Sequence, residues 1–262
     1  MEEQQGRTIS LEKLRRRIAR LESGVKRHGG QPVSSGCEAL DGLLPERGFC
    51  RGTLVEWLSA GAGAGAGTLA LLAAKQACSD GGVLAVFDDR REFCPPAAVR
   101  LGIGPEQLLV IHADTAADNH WAIDQALRSQ AVAAVLAWPG RLDDRTFRRW
   151  QLAAEEGGCL AMLLRPKTAR GEPSWADVRL WVEPLPVAAM LRSPGWGDSC
   201  TVAPGWQYNC HPNIALRSRK RLLQIVLLRC RGGNAEHGVD VELDDETYRL
   251  HSLDRRRRQV AN

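Results

Sequence analysis

Residues 54–75, LVEWLSAGAGAGAGTLALLAAK, contain the pattern that decides the fold. LVEWL is a short apolar run that predicts a buried strand, and TLALLAAK begins an apolar stretch long enough for a helix. A loop of alternating glycine and alanine joins them. A strand, a glycine-rich loop and a helix in this order form the phosphate cradle of nucleotide-binding α/β folds. The stretch therefore predicts a fold of this kind.

The remainder of the chain alternates between apolar runs and helical patterns. Five further runs predict strands, namely VLAVFDD, LLVIHA, AVAAVLAW, CLAMLLRP and ADVRLWVEPL. The segments AAVRLGI, HWAIDQALRS and TFRRWQLAAEEG between them predict helices. Strands that alternate with helices indicate a mainly parallel sheet with helices on both faces. We therefore expect an α/β core over residues 31–250.

The pattern changes after Pro186. Residues 187–213 are rich in Gly, Pro, Ser and Trp, which predicts an irregular insertion. Three runs then follow, RLLQIVLLRCRGG, VDVELDD and YRLHSL, and turn residues separate them. They predict an antiparallel hairpin or meander that closes the sheet. Residues 251–262 form a basic tail that we expect to be disordered.

The glycine loop lacks the residue that a working phosphate loop needs. Such a loop has the form G-x-x-x-x-G-K-[ST], in which the lysine contacts the β- and γ-phosphates and the hydroxyl holds magnesium. Ala66 follows Gly65 and stands at the lysine position when Thr68 is aligned as one of two hydroxyl residues after the lysine. Lys75 lies about two helical turns inside the following helix. The degenerate loop consists of Gly61, Gly63, Gly65, Ala66, Gly67 and Thr68.

A second requirement is an acid at the end of an apolar strand, where it holds magnesium or orients water. The strand AVAAVLAW ends instead in Trp138, followed by Pro139 and Gly140. Two independent losses predict a protein with no catalytic residue and no cofactor. The alternative is an ATPase with an atypical loop, and a glycine loop at a helix start can still attract an anion weakly.

Composition and charge narrow the class of protein. The chain has 262 residues with 44% hydrophobic and 25% charged, which is ordinary for a globular protein. No apolar run approaches the roughly 18–20 residues of a membrane helix, and no secretory signal is visible at the start. The eight cysteines include no C-x-x-C pair, so we predict buried thiols and no metal site. The cytoplasm is the expected location.

Residues 1–30 predict an amphipathic basic helix and a linker. Leu11, Leu14, Ile18 and Leu21 follow one another at steps of three and four, which gives one apolar stripe on a helix. Gly29 and Gly30 then mark a linker. The stripe can pack on the chain's own core or on another chain, and the sequence leaves both open.

Basic residues lie in clusters, although the net charge is only +4. Such clusters can bind phosphate with a salt-dependent affinity, and the alternative for each is a solvated surface. The candidate DNA contacts are Arg141, Arg145, Arg148, Arg149, Lys167, Arg170, Arg255, Arg256, Arg257 and Arg258.

Two extended stretches resemble the ATPase core of RecA recombinases. They are VSSGCEALDGLLPERGFCRGTLVEW and VLAVFDDRREFCPPAAVRLGIGPEQLLV, which stand before and after the glycine loop. Within that superfamily the chain is most similar to the ImuA family of RecA-like accessory proteins. The phrases that carry this resemblance are LDGLLPERGFCRGTLVEWLS, HWAIDQALRSQAVAAVLAWPG, RRWQLAAEEGGCLAMLLRP and PSWADVRLWVEPLP. That family has a degraded phosphate loop and a Leu-Ala-Trp ending in place of the strand acid.

The resemblance implies a function as well as a fold. It implies a non-catalytic scaffold in SOS-induced, mutagenic translesion synthesis, associated with the nucleoid. The implied partners are an inactive Y-family-like polymerase homologue of the ImuB type, an error-prone C-family polymerase, RecA and single-stranded DNA. Some relatives have been labelled cell-division inhibitors, which is a further alternative.

The chain departs from RecA in its two DNA-binding loops. The corresponding stretches shrink to PGRLDDRTFRRW and RPKTARGEPSW. A protein with loops of this length and without ATP is not expected to drive strand exchange. The basic residues that remain in them are the reason for the candidate DNA contacts above.

The apolar stripe of the N-terminal helix gives the first prediction. We expect the double substitution Leu14→Glu with Ile18→Glu to weaken binding to partner proteins, because buried apolar side chains contribute about 1.5–3 kcal/mol each. The core should stay folded, which circular dichroism can check. Pull-down of the two polymerase partners measures the effect, and an unchanged pull-down with either one would contradict it.

Overall fold

The computed structural model describes residues 32–185, 220–232 and 237–253. Several predictions from the sequence lie outside these residues. They are the N-terminal helix with Leu11, Leu14, Ile18 and Leu21, the insertion at 187–213, and the tail arginines Arg255, Arg256, Arg257 and Arg258. The last described strand ends at Leu253, so its end overlaps the range 251–262 that we assigned to the tail.

The described residues form nine strands and five α-helices. The strands are β1 (Leu54–Ser59), β2 (Val83–Phe87), β3 (Leu108–Ile111), β4 (Val132–Ala137), β5 (Leu160–Pro166), β6 (Val178–Pro184), β7 (Lys220–Cys230), β8 (His237–Asp244) and β9 (Leu250–Leu253). The helices are α1 (Glu38–Asp41), α2 (Ala66–Ala77), α3 (Pro95–Arg100), α4 (Ala116–Arg128) and α5 (Asp144–Gly157). Short 3-10 turns cover Pro105–Gln107 and Lys167–Gly171.

All nine strands form one mixed sheet in the order β3-β2-β4-β5-β1-β6-β7-β8-β9. The strands from β3 to β6 in this order are parallel, and β7, β8 and β9 continue the sheet as an antiparallel meander. This confirms the predicted α/β architecture and its antiparallel close. We call the edge at which the parallel strands end the carboxyl edge, and the opposite edge the amino edge.

Local signals in the sequence set the ends of the longer helices. The Thr115 hydroxyl accepts a hydrogen bond from the Asp118 N–H at 3.1 Å, which caps the start of α4. The Asp143 carboxylate accepts one from the Thr146 N–H at 2.8 Å and caps α5 in the same way. Gly158 then ends α5 in the left-handed conformation, with φ at +70°.

Two hydrophobic cores lie on the two faces of the sheet. The α2 face buries α2 against the sheet and continues to the meander, where Leu223 and Val241 belong to the same cluster. The α5 face buries α4 and α5 through side chains such as Ile123, Phe147 and Trp150. Strand β4, VAAVLA, is buried along its whole length, as expected for a strand covered on both faces.

The α5 face changes character at β1. Beyond this strand the described residues provide no helix over β6 and β7, and a small cluster of Leu58, Ala169 and Trp181 takes the place of a helix core. The segment 167–176, which runs from the end of β5 to the start of β6, covers this part of the sheet. The Arg170 guanidinium lies 4.6 Å from the centre of the Trp181 ring.

Buried ion pairs join the three central strands on this face. Glu56 of β1 is 1% exposed, and its carboxylate binds Arg165 of β5 at 3.0 Å and Arg179 of β6 at 2.6 Å. The Ser174 hydroxyl donates to the same carboxylate at 2.8 Å, and Arg165 also pairs with Glu172 at 2.6 Å. One buried acid therefore ties together β5, β1, β6 and the segment 167–176.

We expect Glu56→Ala to lower the free energy of unfolding by about 3–5 kcal/mol, because it leaves two guanidinium groups without their shared acid. Urea denaturation measures this loss. The control is Glu38→Ala, which removes an exposed acid 4.0 Å from Arg47 and should leave the midpoint unchanged. Equal midpoints for the two variants would contradict the assigned importance of Glu56.

Candidate functional site

The glycine loop lies at the carboxyl edge, between the end of β1 and the start of α2. Gly63 and Gly65 have φ values of +72° and +94°, in the left-handed region that glycine tolerates. The Ser59 hydroxyl donates to the Gly61 carbonyl at 2.5 Å, and the Ala64 N–H donates to the same oxygen at 3.3 Å. The loop thus has the tight, left-handed geometry that a phosphate cradle requires.

The helix begins at Ala66, immediately after the left-handed Gly65. This is the position at which the sequence alignment places the missing lysine, and here it holds a methyl group that is 2% exposed. Lys75 lies in the last turn of α2, and its ammonium group is directed towards Gly102. Thr68 is half-buried in the first turn. The loop therefore offers an anion backbone N–H groups and one hydroxyl, without a positive side chain.

Packing holds the loop from the meander side. A Cβ atom built on Gly65 would lie 2.8 Å from Cδ1 of Leu223, a residue of β7 that is 1% exposed. One on Gly67 would lie 3.8 Å from Leu164 of β5. By contrast, no atom of the described residues lies within 4 Å of a Cβ built on Gly61 or Gly63. The helix end of the loop is therefore part of the core, and its other end is open.

The end of β4 carries an aromatic ring at the place of the missing acid. Trp138 follows the strand directly, and its ring centre lies 6.1 Å from that of Phe93. Strand β5 separates β4 from β1, so Trp138 stands at the carboxyl edge one strand away from the glycine loop. The indole packs against a neighbouring ring and has no group that could bind a metal ion.

An acid does stand at this edge, after β2. Asp88 is 4% exposed, and its two oxygens accept hydrogen bonds from the N–H groups of Glu92 at 3.0 Å and Phe93 at 2.9 Å. The carboxylate therefore caps the turn after β2. The sequence prediction missed this role, although the pair of aspartates at the end of VLAVFDD was the signal.

The structure places six of the candidate DNA contacts on the α5 face. Arg141 is exposed before the start of α5, and Arg145 is exposed in its first turn. Lys167 and Arg170 are exposed in the segment after β5. Arg149 is exposed too, and it pairs with Asp124 of α4 at 3.4 Å. The tail arginines fall outside the described residues.

The sixth of these, Arg148, stacks on an aromatic ring that sequence reasoning missed. Its guanidinium lies 5.2 Å from the centre of the Trp175 ring, and Trp175 is 44% exposed. Arg229 of β7 is also exposed. It lies beside this segment, since its Nη1 donates a hydrogen bond to the Ser174 carbonyl at 2.6 Å. The register of β6 with β7 and the packing of α5 on the sheet bring residues 148, 175 and 229 together.

A cavity of about 70 Å³ opens at the amino edge, with Asp177 and Gln151 buried at its wall. Burial raises the pKa of the Asp177 carboxyl, against the lowering effect of the Leu54 N–H at 3.0 Å and of Arg231. The cavity is small beside the roughly 300–1,000 Å³ of ligand pockets. Its polar groups bond one another, which explains it as part of the packing.

Three further expectations from the sequence concern metal sites, cysteines and membrane helices. The described residues contain no group of three His, Cys, Asp or Glu side chains placed to hold a metal ion. Six cysteines among them are free thiols, and Cys200 and Cys210 lie outside the described part. No described helix is long and apolar enough to cross a membrane.

Comparison with known proteins agrees with this geometry. The family model of the RecA N-terminal domain matches residues 11–137. RecA of Desulforapulum autotrophicum is 35% identical over 104 residues, which are 40% of this chain and 30% of that protein. RecA of Corynebacterium efficiens is 37% identical over 102 residues, 39% of this chain and 26% of that protein. The chain thus spans under a third of the length of these relatives.

A solved structure extends the similarity to most of the fold. The RadB recombinase superposes with a TM-score of 0.57 at 16% sequence identity, over 85% of this chain and 100% of that one. The fold is therefore RecA-like.

The packing of the glycine loop gives a prediction on stability. We expect Gly65→Ala to lower the free energy of unfolding by about 1–2 kcal/mol, because φ is +94° there and a Cβ would meet Leu223. Gly61→Ala is the matched control, since its Cβ meets no atom within 4 Å. Thermal or urea unfolding measures both, and a Gly65→Ala variant as stable as Gly61→Ala would show the prediction to be wrong.

Proposed function

We propose that this RecA-like chain is a non-catalytic accessory protein, which binds partner proteins and single-stranded DNA and does not hydrolyse ATP. The observation that carries the proposal is Ala66 at the first position of α2, where a working phosphate loop has its lysine. The resemblance to the ImuA family extends the proposal to damage-induced, mutagenic translesion synthesis.

The missing charge is the first support. The β- and γ-phosphates of ATP carry several negative charges, which the loop lysine and magnesium normally neutralise. Hydrogen bonds from charged groups are worth about 1.5–3 kcal/mol, and backbone N–H groups alone supply neutral ones. Ala66 supplies no charge, and the described first turn of α2 contains no basic residue.

The missing acid is an independent support. Trp138 stands where magnesium would be held or a water oriented, and Asp88 is bound to the turn after β2. A chain that lacked only the lysine could still position metal and water. A chain that lacks both groups loses the electrostatic stabilisation on which phosphoryl transfer depends.

What the chain retains favours a binding role. The RecA-like sheet, its helices and a surface of exposed arginines are all present. We propose that it joins an inactive Y-family-like homologue and an error-prone C-family polymerase, with RecA as a further partner. The N-terminal helix, which lies outside the described residues, is the first candidate contact.

The proposal predicts that ATP does not bind with useful affinity. We expect no saturation by a fluorescent ATP analogue up to millimolar concentration, with or without magnesium, because the phosphates find no cation in the loop. A RecA protein measured in parallel is the positive control, and Thr68→Ala should change nothing. Micromolar, magnesium-dependent binding, or turnover that Thr68→Ala abolishes, would establish the alternative of an atypical ATPase.

The role in mutagenesis is tested separately. Deleting the gene should lower the frequency of DNA-damage-induced mutation in its host, and a plasmid copy carrying Thr68→Ala should restore it fully. Co-purification and crosslinking with the two polymerase partners test the scaffold role. Loss of induced mutation without any such contact would argue against a scaffold.

A further inference from the structure

An exposed indole lies on the α5 face near the amino edge. Trp175 stands between the segment after β5 and the start of β6, and 44% of it is exposed. The Arg148 guanidinium covers part of the ring at 5.2 Å from its centre. The indole therefore combines one partly covered face with a large accessible surface.

A second guanidinium flanks this residue from the sheet. Arg229 of β7 is paired in register with Arg179 of β6, and its Nη1 donates to the Ser174 carbonyl at 2.6 Å. Among the described residues, no carboxylate forms an ion pair with either Arg148 or Arg229. Arg165 and Arg179 are different, since Glu56 neutralises both. Two uncompensated positive charges thus stand beside one exposed indole.

The surroundings hold the indole in place. The Ser174 hydroxyl donates to Glu56 and accepts from the Ala176 N–H at 3.0 Å, so the residues on both sides of Trp175 are fixed. Gln151 bonds Arg148, and it also donates to the Asp177 carboxylate at 3.5 Å. A surface that is already ordered loses little conformational entropy when it binds a ligand.

We propose that Trp175, Arg148 and Arg229 form a stacking site for single-stranded DNA. A base stacks on the free surface of the indole, and the guanidinium groups bind the adjoining phosphates. An aromatic ring stacks on any base, and arginines follow the phosphate backbone, so the site binds without sequence preference. This inference rests on the DNA-binding part of the proposed function, and it places one contact far from the glycine loop.

The chemistry favours nucleic acid over a protein partner. A protein interface is centred on a broad apolar patch with few unpaired charges. Here two cations without a paired acid flank the exposed ring, and α5 and the segment 167–176 carry further exposed basic residues at Arg145, Lys167 and Arg170. An anionic ligand that also carries aromatic rings matches both features.

The test is the affinity for a fluorescent oligo-dT strand, measured by anisotropy at two or more salt concentrations. Trp175→Ala should weaken binding about tenfold, the usual effect of losing one stacked base. Trp121→Ala is the matched control, since Trp121 is 65% exposed on α4, away from this site, and it should bind as the unmodified chain does. Trp175→Phe keeps an aromatic ring and should retain most of the affinity.

Charge is tested in the same assay. Arg229→Gln should weaken binding and reduce the slope of log affinity against log salt by about one, as expected for one lost phosphate contact. Arg90→Gln, in the exposed turn after β2, is the control and should change neither quantity beyond the effect of net charge. Oligo-U in place of oligo-dT distinguishes the two nucleic acids, and tighter binding to oligo-U would overturn the assignment to DNA.

Three outcomes would overturn the site. If Trp175→Ala binds as tightly as Trp121→Ala while deletion of residues 254–262 abolishes binding, the site is wrong but the proposed DNA binding stands. If the unmodified chain binds no single strand even at low salt, both are wrong. If Trp175→Ala keeps DNA binding but loses a polymerase partner, the surface is a protein interface. Circular dichroism melting of each variant excludes loss of folding.

Discussion

The carboxylate of Glu56, buried between Arg165 and Arg179, is the interaction on which the rest of the structure depends. Burying one charge without partners is costly, and removing one member leaves the others uncompensated. The three side chains therefore fix β5, β1 and β6 side by side. Ser174 and Glu172 extend the cluster to the segment 167–176. The same acid thus orders the sheet beside the glycine loop and the segment that carries Trp175.

The cluster also stands where the layers of the fold change. On one side, α4 and α5 cover the sheet, and on the other the segment 167–176 is the main cover that the described residues provide. Side chains at this boundary lie beside both a helix and a part of the sheet that no described helix covers. Arg148 of α5 contacts Trp175 at this boundary, and Arg229 of β7 contacts Ser174 there. Residues of α5, the segment 167–176 and β7 form one surface there, because the layer of helices that covers the sheet ends.

The sequence predicted the elements well because their causes are local. Continuous apolar runs, the caps at Thr115 and Asp143, and Gly158 all act within a few residues. The absence of a lysine at Ala66 was also visible, since a motif is a local pattern. Trp175 and Arg229 are 54 residues apart, and only the register of β6 with β7 brings their neighbourhoods together. The hydrogen bonds that Asp88 accepts from the backbone after β2 depend on the geometry of that turn, which composition does not reveal.

The alanine at position 66 and the packing of the loop bear on the same question, whether a nucleotide could switch this protein between two states. A ligand shifts a protein between two states only by binding one of them better. In this chain the helix end of the loop is packed against Leu223, and neither the loop nor the first turn of α2 contains a basic residue. An ATP-driven switch would need both a cation there and freedom for the meander to move. The helix end of the loop is instead part of the core, as expected for the proposed scaffold, whose binding surfaces would not depend on a nucleotide.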